Sequence, residues 1–280
     1  MTYQFIKEHR SRFTVALLHR ILKVSRSGFY RFLQEKNSGN EEQLVSMIQV
    51  CHQRTFQTYG YRRVKLWLQR EEGVVANAKK VLRIMKKHQL LSVVRRKKPY
   101  KSSGNSHFLY PNLLNQQFQV QKKNQKWVTD ITYIHTSQGI IYLSAILDLF
   151  DRSIITYEMS TSPNSELVVR NLQSAYKKEK VAGELLLHSD QGTQYTSTAY
   201  KGLSTAYGIT LSMSRRGNCY DNSVIEGFFS ILKTECIYRS RPRTFNEVRR
   251  RVDEYIQFYN TQRIQLKSGR TPLERRSLSA

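Results

Sequence analysis

The sequence predicts an α/β protein in which a mixed five-stranded sheet with helices follows small all-α modules. Segments rich in β-branched and aromatic residues alternate with helical segments from residue 126 onward. Residues 1–98 instead show the apolar spacing of amphipathic helices. A polar stretch with little periodicity, residues 99–124, separates the two parts. A chain of 280 residues, 39% of them hydrophobic, can bury one sizeable core and a smaller module.

The charge is strongly basic and unevenly distributed, with a net value of +25. Residues 1–125 hold 25 Lys and Arg against 6 Asp and Glu, a net of +19, whereas residues 126–280 hold 21 against 15, a net of +6. The natural partner of such an excess is a polyanion, so the front of the chain is predicted to bind nucleic-acid phosphates. A ribosomal or chromatin-type protein would also fit this charge, but it has little need for the acids described below.

Neither export nor disulfide bonding is expected. No apolar run approaches 18 residues, and no hydrophobic segment of a signal peptide follows Met1. The sequence therefore predicts neither membrane insertion nor export. Cys51, Cys219 and Cys236 are too few and too scattered for a disulfide framework or a zinc site. We therefore expect a reducing, cytoplasmic setting.

Residues 1–36 are predicted to form a helix-turn-helix-like segment. Apolar residues between 14 and 22 give the first helix one buried face, and Ser25 is a suitable N-cap for the second. This spacing suits a DNA-binding pair of helices. An ordinary helical hairpin explains it equally well, so both interpretations stay open.

Residues 41–98 are predicted to form a second helical, DNA-binding domain, which the family resemblance given below implies to be of the helix-turn-helix type. Its middle helix opens at Tyr59 and carries Arg62 and Arg63, two predicted DNA contacts. The third helix, residues 76–88, places apolar residues inward and five Lys and Arg outward. Because this charge has one sign, DNA contact is favoured over a merely solvated surface. Residues 99–124 are interpreted as a flexible basic linker that follows a DNA backbone.

The region 125–280 is predicted to be a catalytic core with a C-terminal helix and tail. Its five predicted strands are residues 127–135, 140–147, 153–159, 184–187 and 209–211. Helices are predicted at 163–180, at 196–207, at about 222–236 and at 244–259, the first opened by Ser162 as N-cap and Pro163. The order is three antiparallel strands, helix, strand, helix, strand and helix, which is typical of the ribonuclease-H-like fold.

Three acids are predicted to converge. Asp130 lies at the centre of the first strand, and Asp190 follows the buried strand of residues 184–187. Glu226 lies near the start of a helix, with Lys233 seven residues later on the same face. Carboxylates brought together repel one another unless a cation compensates them, and oxygen ligands of this kind suit Mg²⁺. This set of acids predicts metal-dependent phosphoryl chemistry.

Several alternatives remain open for the residues around these acids. Asp148 and Asp151 also lie near strand ends, and Asp221 could take the place of Glu226, although it belongs to a loop. His188 could be a metal ligand, but a structural hydrogen bond is favoured. Gly192 is predicted to adopt a positive φ beside Asp190.

The three acids, with thirty-five residues between Asp190 and Glu226 and with Lys233 seven beyond the latter, resemble the DDE signature of transposases and retroviral-type integrases. Four further motifs narrow the resemblance: WVTDIT (127–132), HSDQG (188–192), GNCYDN (217–222) and YNTQR (259–263). Together they resemble the larger reading-frame product, OrfB, of insertion-sequence-three family transposases over about residues 41–276.

The resemblance implies a DNA transposase that cleaves element ends and then transfers the strand to target DNA. Asp130 and Asp190 would share one Mg²⁺ ion and Glu226 would help to hold a second, with Mn²⁺ as a substitute. Lys233 would touch the terminal base or phosphate. The implied partners are terminal-repeat and target DNA, further copies of the chain in at least a dimer, and an upstream OrfA product fused by frameshifting, all associated with the nucleoid. A non-catalytic DNA-binding regulator and a nuclease without joining activity are the alternatives.

Two further groups are predicted to contact DNA. Residues 214–222 lack apolar periodicity and are interpreted as a mobile loop over the site that carries Arg215 and Arg216. Tyr259, Asn260 and Arg263 lie at the end of the last long helix and suit phosphate or base contact. A role of this second group in fixing the C-terminal tail is the alternative, and both interpretations stay open.

Overall fold

A computed structural model of the chain describes residues 2–35, 38–94, 110–215 and 218–278. The chain divides into two compact units, Met1–Val93 and Val94–Ala280. Residues 99–109 of the predicted linker lie outside the described residues, whereas residues 110–124 are described. No helix in the described ranges is long and apolar enough to cross a membrane.

The first unit is helical. Its helices are α1 (Thr2–His9), α2 (Val15–Leu22), α3 (Arg26–Glu35), α4 (Ser38–Arg54), α5 (Tyr61–Glu71) and α6 (Ala78–Lys87). The predicted helix pair is present as α2 and α3, and the hydroxyl of Ser25 accepts a hydrogen bond from the Gly28 backbone at 3.0 Å, as an N-cap does. Helix α1 was not predicted, and its Ile6 completes a small core with Leu18 and Phe29.

Helices α4, α5 and α6 pack against one another. The buried face of α6 consists of Val81, Ile84 and Met85. On the outer side, Arg83 and Lys87 both bind Glu41 of α4 at 2.8 Å. Part of the predicted phosphate-binding charge is therefore engaged within the unit.

The second unit contains the predicted five-stranded mixed sheet, which confirms the fold class. The strands are β1 (Lys126–Thr136), β2 (Gly139–Asp148), β3 (Ile154–Ser160), β4 (Leu185–Ser189) and β5 (Ile209–Met213). Their order in the sheet is β3-β2-β1-β4-β5. Strands β1, β2 and β3 are antiparallel, whereas β4 runs parallel to both β1 and β5. This is the arrangement of a ribonuclease-H-like fold.

The helices of the second unit are α7 (Ser165–Glu179), α8 (Thr198–Ala206), α9 (Ser223–Leu232), α10 (Tyr238–Ser240), α11 (Phe245–Thr261) and α12 (Pro272–Ser277). A 3₁₀ turn (Cys219–Asn222) precedes α9, and a π-helical turn (Lys233–Ile237) follows it. Helix α7 begins later than predicted, because Asn164 rather than Ser162 caps it by accepting from the Leu167 backbone. Helix α12 was not predicted, although Thr271 and Glu274 form a full capping box at its start.

Helices cover the sheet and fix its core. Trp127, Ile146 and Leu187 from three strands belong to one buried apolar cluster that also includes Val168 and Leu172 of α7. Helix α9 contacts β1 and α11 contacts β3. Burial of this apolar area is the main term that stabilises the unit.

Candidate active site

The strand register brings the first two predicted acids together. Strand β4 pairs with β1 in parallel as far as Val128 opposite His188. Two residues further along each chain come Asp130 and Asp190, the second of them immediately after the end of β4. Because β4 stops there, the edge of β1 beside Asp130 is not covered by a neighbouring strand, and both carboxyl groups border one groove.

This groove has a volume of about 210 Å³, room for several water molecules at about 30 Å³ each. It is lined by Asp130, Ile131, Thr132, Tyr133, Tyr142, Pro163, Asp190, Gln194 and Tyr195. Aromatic rings and acids therefore share its walls.

Local hydrogen bonds orient the two carboxyl groups. The Ile131 backbone donates to Asp130 Oδ1 at 2.7 Å, and the Gly192 backbone donates to Asp190 Oδ1 at 3.0 Å. The prediction of a positive φ at Gly192 is wrong. Glycine is needed there for space, since a Cβ would lie 3.0 Å from both Asp190 Oδ1 and Gln194 Oε1.

The acids perturb one another. Burial raises the pKa of Asp130 well above its usual range, and the Asp190 and Glu226 carboxyl groups raise it further, while Lys233 opposes them. Burial likewise raises the pKa of Asp190 and Glu226, and Asp190 adds to the rise at Glu226. All three shifts mean that negative charge is costly here without a cation.

Lys233 approaches the acids from the end of α9. Its Nζ lies 4.7 Å from the ring centroid of Tyr133. Burial lowers the pKa of Lys233, whereas the Asp130 carboxyl raises it. The helical segment predicted over about 222–236 is present, with α9 ending at Leu232 and Lys233 opening the π-helical turn.

The buried face of α9 consists of Ile225, Phe228, Phe229 and Leu232. Val224, Ile231 and Cys236 are only partly buried. Glu226 is exposed, so it remains accessible from solvent beside the groove.

The donor chemistry suits a hard divalent cation, because three carboxyl groups offer only oxygen ligands. The described residues nevertheless contain no group of three or more His, Cys, Asp and Glu drawn close enough to hold a metal ion. Asp130 and Asp190 place two carboxyl groups at the groove, and Glu226 lies near enough to raise the pKa of Asp130.

The loop before α9 is more ordered than predicted between residues 218 and 222. Arg215 donates to Asp221 through its backbone N, Nε and Nη2 at 2.9, 3.0 and 2.9 Å. This pairing, opposed by burial, holds the pKa of Asp221 below its usual range. Asp221 is fully buried and therefore does not take the place of Glu226, while Arg216 lies outside the described residues.

Tyr259 and Arg263 are buried, Asn260 is partly buried, and all three form hydrogen bonds within the second unit. The Tyr259 hydroxyl donates to the Arg152 carbonyl at 3.1 Å. Asn260 exchanges two 2.9 Å hydrogen bonds with the backbone of Ile154. Arg263 is 4% exposed and donates a hydrogen bond to Glu235 of the π-helical turn. Their placement matches the structural alternative, in which they fix the C-terminal segment.

The other acids and His188 also have structural roles. Asp148 and Asp151 are fully buried and both bind Arg276 of α12, at 3.0 and 2.6 Å. Arg276 also binds Glu179. His188 lies between the hydroxyls of Ser212 and Ser214, and burial lowers its pKa to about 4.

The two arginines predicted in the first unit lie at the start of α5. Arg62 is exposed, with its guanidinium 5.6 Å from the Tyr61 ring centroid. Arg63 is half-buried and lies 5.7 Å from the ring of the buried Tyr59. Only Arg62 presents most of its surface outward.

Sequence analysis missed three groups that border the groove. Tyr133 and Gln194 line it, and the buried Tyr195 lies beneath the acids, which raise the pKa of its hydroxyl together with burial. Asn222 was missed too, and it joins the turn before α9 to the Thr129 carbonyl beside Asp130 at 3.1 Å. Their nearness to the predicted motifs was the only available signal.

Comparison with known proteins places these features in a family. A model described as "Integrase core domain" matches residues 120–219, a second of that description matches 226–279, and one described as "HTH-like domain" matches 39–98. The solved HTLV-2 integrase catalytic core in complex with magnesium covers 55% of this chain and 96% of its own, at 15% identity and a TM-score of 0.45.

Two relatives from Escherichia coli strain K12 align over nearly their whole length. InsK of insertion sequence element IS150 is 36% identical over 97% of this chain and 96% of its own. The transposase InsF for insertion sequence IS3A is 33% identical over 92% and 91%. With its helix-turn-helix-like domain and integrase core, this chain belongs to the insertion-sequence-three family of transposases.

Proposed function

We propose that the chain cleaves DNA at the ends of its insertion element and joins those ends to target DNA by Mg²⁺-dependent phosphoryl transfer. The observation that carries the proposal is the pairing of Asp130 and Asp190 at one groove, where the Asp190 carboxyl adds to burial in raising the pKa of Asp130. Such a pair gains most from a bound cation. Family membership supports the same reaction class.

Asp130 and Asp190 would share one ion, and Glu226 would help to hold a second. The bound ions would stabilise charge on the attacking and leaving oxygens, and Mn²⁺ would substitute for Mg²⁺. Lys233 binds the terminal phosphate or base and so positions the DNA. The hydrogen bonds from the Ile131 and Gly192 backbones hold the Asp130 and Asp190 carboxyl groups toward the groove.

DNA binding is assigned mainly to the first unit and its lysine-rich helix α6. Lys79, Lys80 and Lys86 are exposed on that helix. Arg62 at the start of α5 adds a further exposed positive charge. These contacts would hold terminal-repeat DNA through its phosphates, whereas the groove acts on the scissile bond.

The test is a cleavage and joining assay with labelled element-end duplexes and a supercoiled target plasmid. We expect nicked and joined products with Mg²⁺ or Mn²⁺ and neither product in EDTA. Asp130→Asn, Asp190→Asn and Glu226→Gln should each lose both products while retaining end binding. Glu166→Gln is the control, because this acid is exposed on α7 and forms a surface ion pair with Arg170.

The rival functions give different products in this assay. Cleavage without joining would indicate a nuclease, and end binding without metal-dependent products would indicate a regulator. Ordinary activity in two of the three acid variants would contradict the site assignment.

We further propose that at least two copies of the chain assemble on paired ends. Mass photometry of the chain with and without end DNA would detect this assembly. We also propose that an upstream OrfA product, fused by frameshifting, takes part.

A further inference from the structure

Tyr133 is an exposed aromatic ring beside the paired acids. It lies on β1 three residues after Asp130, lines the same groove and is 52% exposed. Ile131, two residues earlier on the same side of the strand, packs against the core. The apolar covering of this side of β1 therefore ends just before Tyr133, and about half of this residue stays exposed to solvent.

The surroundings of the ring favour a flat, anionic partner. Lys233 Nζ lies 4.7 Å from its centroid, so a positive charge is held directly over the π-face. The His135 ring meets Tyr133 at 5.3 Å with an interplanar angle of 76°, which supports it from the edge. Among the described residues, the Tyr133 hydroxyl makes no hydrogen bond that would fix it to the protein.

A nucleobase with its phosphate has this combination of a flat face and a nearby negative charge. Stacking of a base on an aromatic side chain is tolerant of sequence, because every base has a π-face. Within a duplex both faces of a base are covered by neighbouring pairs, so only an unpaired or terminal base can stack on a side chain. A Tyr at this groove is therefore suited to an opened DNA end.

We propose that Tyr133 and Lys233 form a platform on which an unpaired base of the DNA end stacks, with the ammonium group of Lys233 held next to the adjoining phosphate. The inference rests on the proposed function, because it requires a DNA end to enter the groove. It adds that the end is frayed when bound and that Tyr133 is the residue that holds the frayed base.

The test measures binding of two duplexes to the full chain in EDTA, where no strand is cut. One duplex is blunt and the other is forked, with three unpaired nucleotides on each strand and 2-aminopurine at the first unpaired position. We expect the wild type to bind the forked duplex about tenfold more tightly and to quench the 2-aminopurine fluorescence. Tyr133→Phe should behave like the wild type, since it retains the ring.

Tyr133→Ala and Tyr133→Leu should bind both duplexes equally and should not quench the fluorescence. The leucine variant keeps apolar bulk on the strand, so it separates stacking from any effect on the fold. Tyr238→Ala is the control, because Tyr238 is similarly exposed, at 50%, and does not line the groove. Undiminished quenching in Tyr133→Leu, or equal affinity of the wild type for both duplexes, would overturn the platform. Cutting is read in the separate Mg²⁺ assay, so failure to stack and failure to cut are distinct results.

Discussion

Arg263 binds Glu235 through two parallel hydrogen bonds of 2.7 and 2.8 Å inside the second unit. Both side chains are 5% exposed, and the Tyr255 hydroxyl donates to the same carboxylate at 2.8 Å. Glu235 belongs to the π-helical turn that begins at Lys233. Helix α11 therefore anchors the turn from which Lys233 reaches toward Asp130 and Tyr133.

Breaking this ion pair should destabilise the fold. Glu235→Gln leaves the Arg263 charge buried and unpaired, which costs about 3–5 kcal/mol. The double variant Glu235→Leu with Arg263→Met removes both charges and should recover most of the loss. Urea unfolding followed by circular dichroism checks both. An unchanged midpoint for Glu235→Gln would show that the pair does not hold the turn.

Asp130→Asn should stabilise the protein in the absence of metal. Because the pKa of Asp130 is raised in the folded state, the folded chain binds more protons than the unfolded chain, and stability falls as pH rises through this window. The asparagine variant has no such loss. We expect its Tm to exceed that of the wild type by about 2–4 °C at pH 8, for an effect of about 1 kcal/mol.

The difference between the two melting temperatures should shrink toward pH 4, where the wild-type carboxyl is protonated. Added Mg²⁺ should raise the Tm of the wild type only. Scanning calorimetry at several pH values provides the measurement. A variant less stable than the wild type at pH 8 would contradict the view that this acid serves function at the expense of stability.

Lys233→Ala should leave the fold and metal binding unchanged and reduce joining strongly. Lys233→Arg should restore part of the activity, since the charge is kept while the geometry of the ammonium group is lost. Ser230→Lys in the Lys233→Ala background should not restore it, because a charge one turn nearer Glu226 would approach the metal ligands. Joining of end duplexes is the measurement, and wild-type joining by Lys233→Ala would remove this role.

The exposed lysines of α6 should contribute to DNA binding through phosphates alone. Each of Lys79→Ala and Lys80→Ala should reduce the slope of log affinity against log salt by about 0.9, the value for one lost phosphate contact. The loss should be the same for any duplex sequence. Lys201→Ala on α8 of the second unit is the matched control, because Lys201 is also exposed. Fluorescence anisotropy across a salt titration gives the slopes, and unchanged slopes for both α6 variants would exclude this helix from the interface.

The positions of Asp130 and Asp190 could be predicted because both follow from strand patterns. The β-forming residues around Asp130 define one strand, and the leucines at 185–187 define another that ends before Asp190. Parallel pairing of these strands aligns the two acids, so local pattern and register agree. The helix that carries Glu226 was predicted from the helical spacing of its apolar residues.

The π-helical turn at Lys233 could not be predicted, because its sequence is compatible with an ordinary helix. The turn coincides with the buried contact between Glu235 and Arg263, residues separated by 28 positions. Likewise, the exposure of Tyr133 follows from where β4 ends, since a paired neighbour would have covered that edge of β1.

By itself the sequence determined the order of the five strands and the family, because both depend on residues close together or on fixed motif spacings. Only the tertiary structure decided that Asn260 and Arg263 have hydrogen-bond partners within the second unit. Asn260 forms a hydrogen bond with the backbone of Ile154, 106 positions away. Arg263 forms one with Glu235, 28 positions away. The sequence of a polar residue is the same whether its side chain binds a phosphate or a distant buried group. Only folding brings that partner within hydrogen-bonding distance.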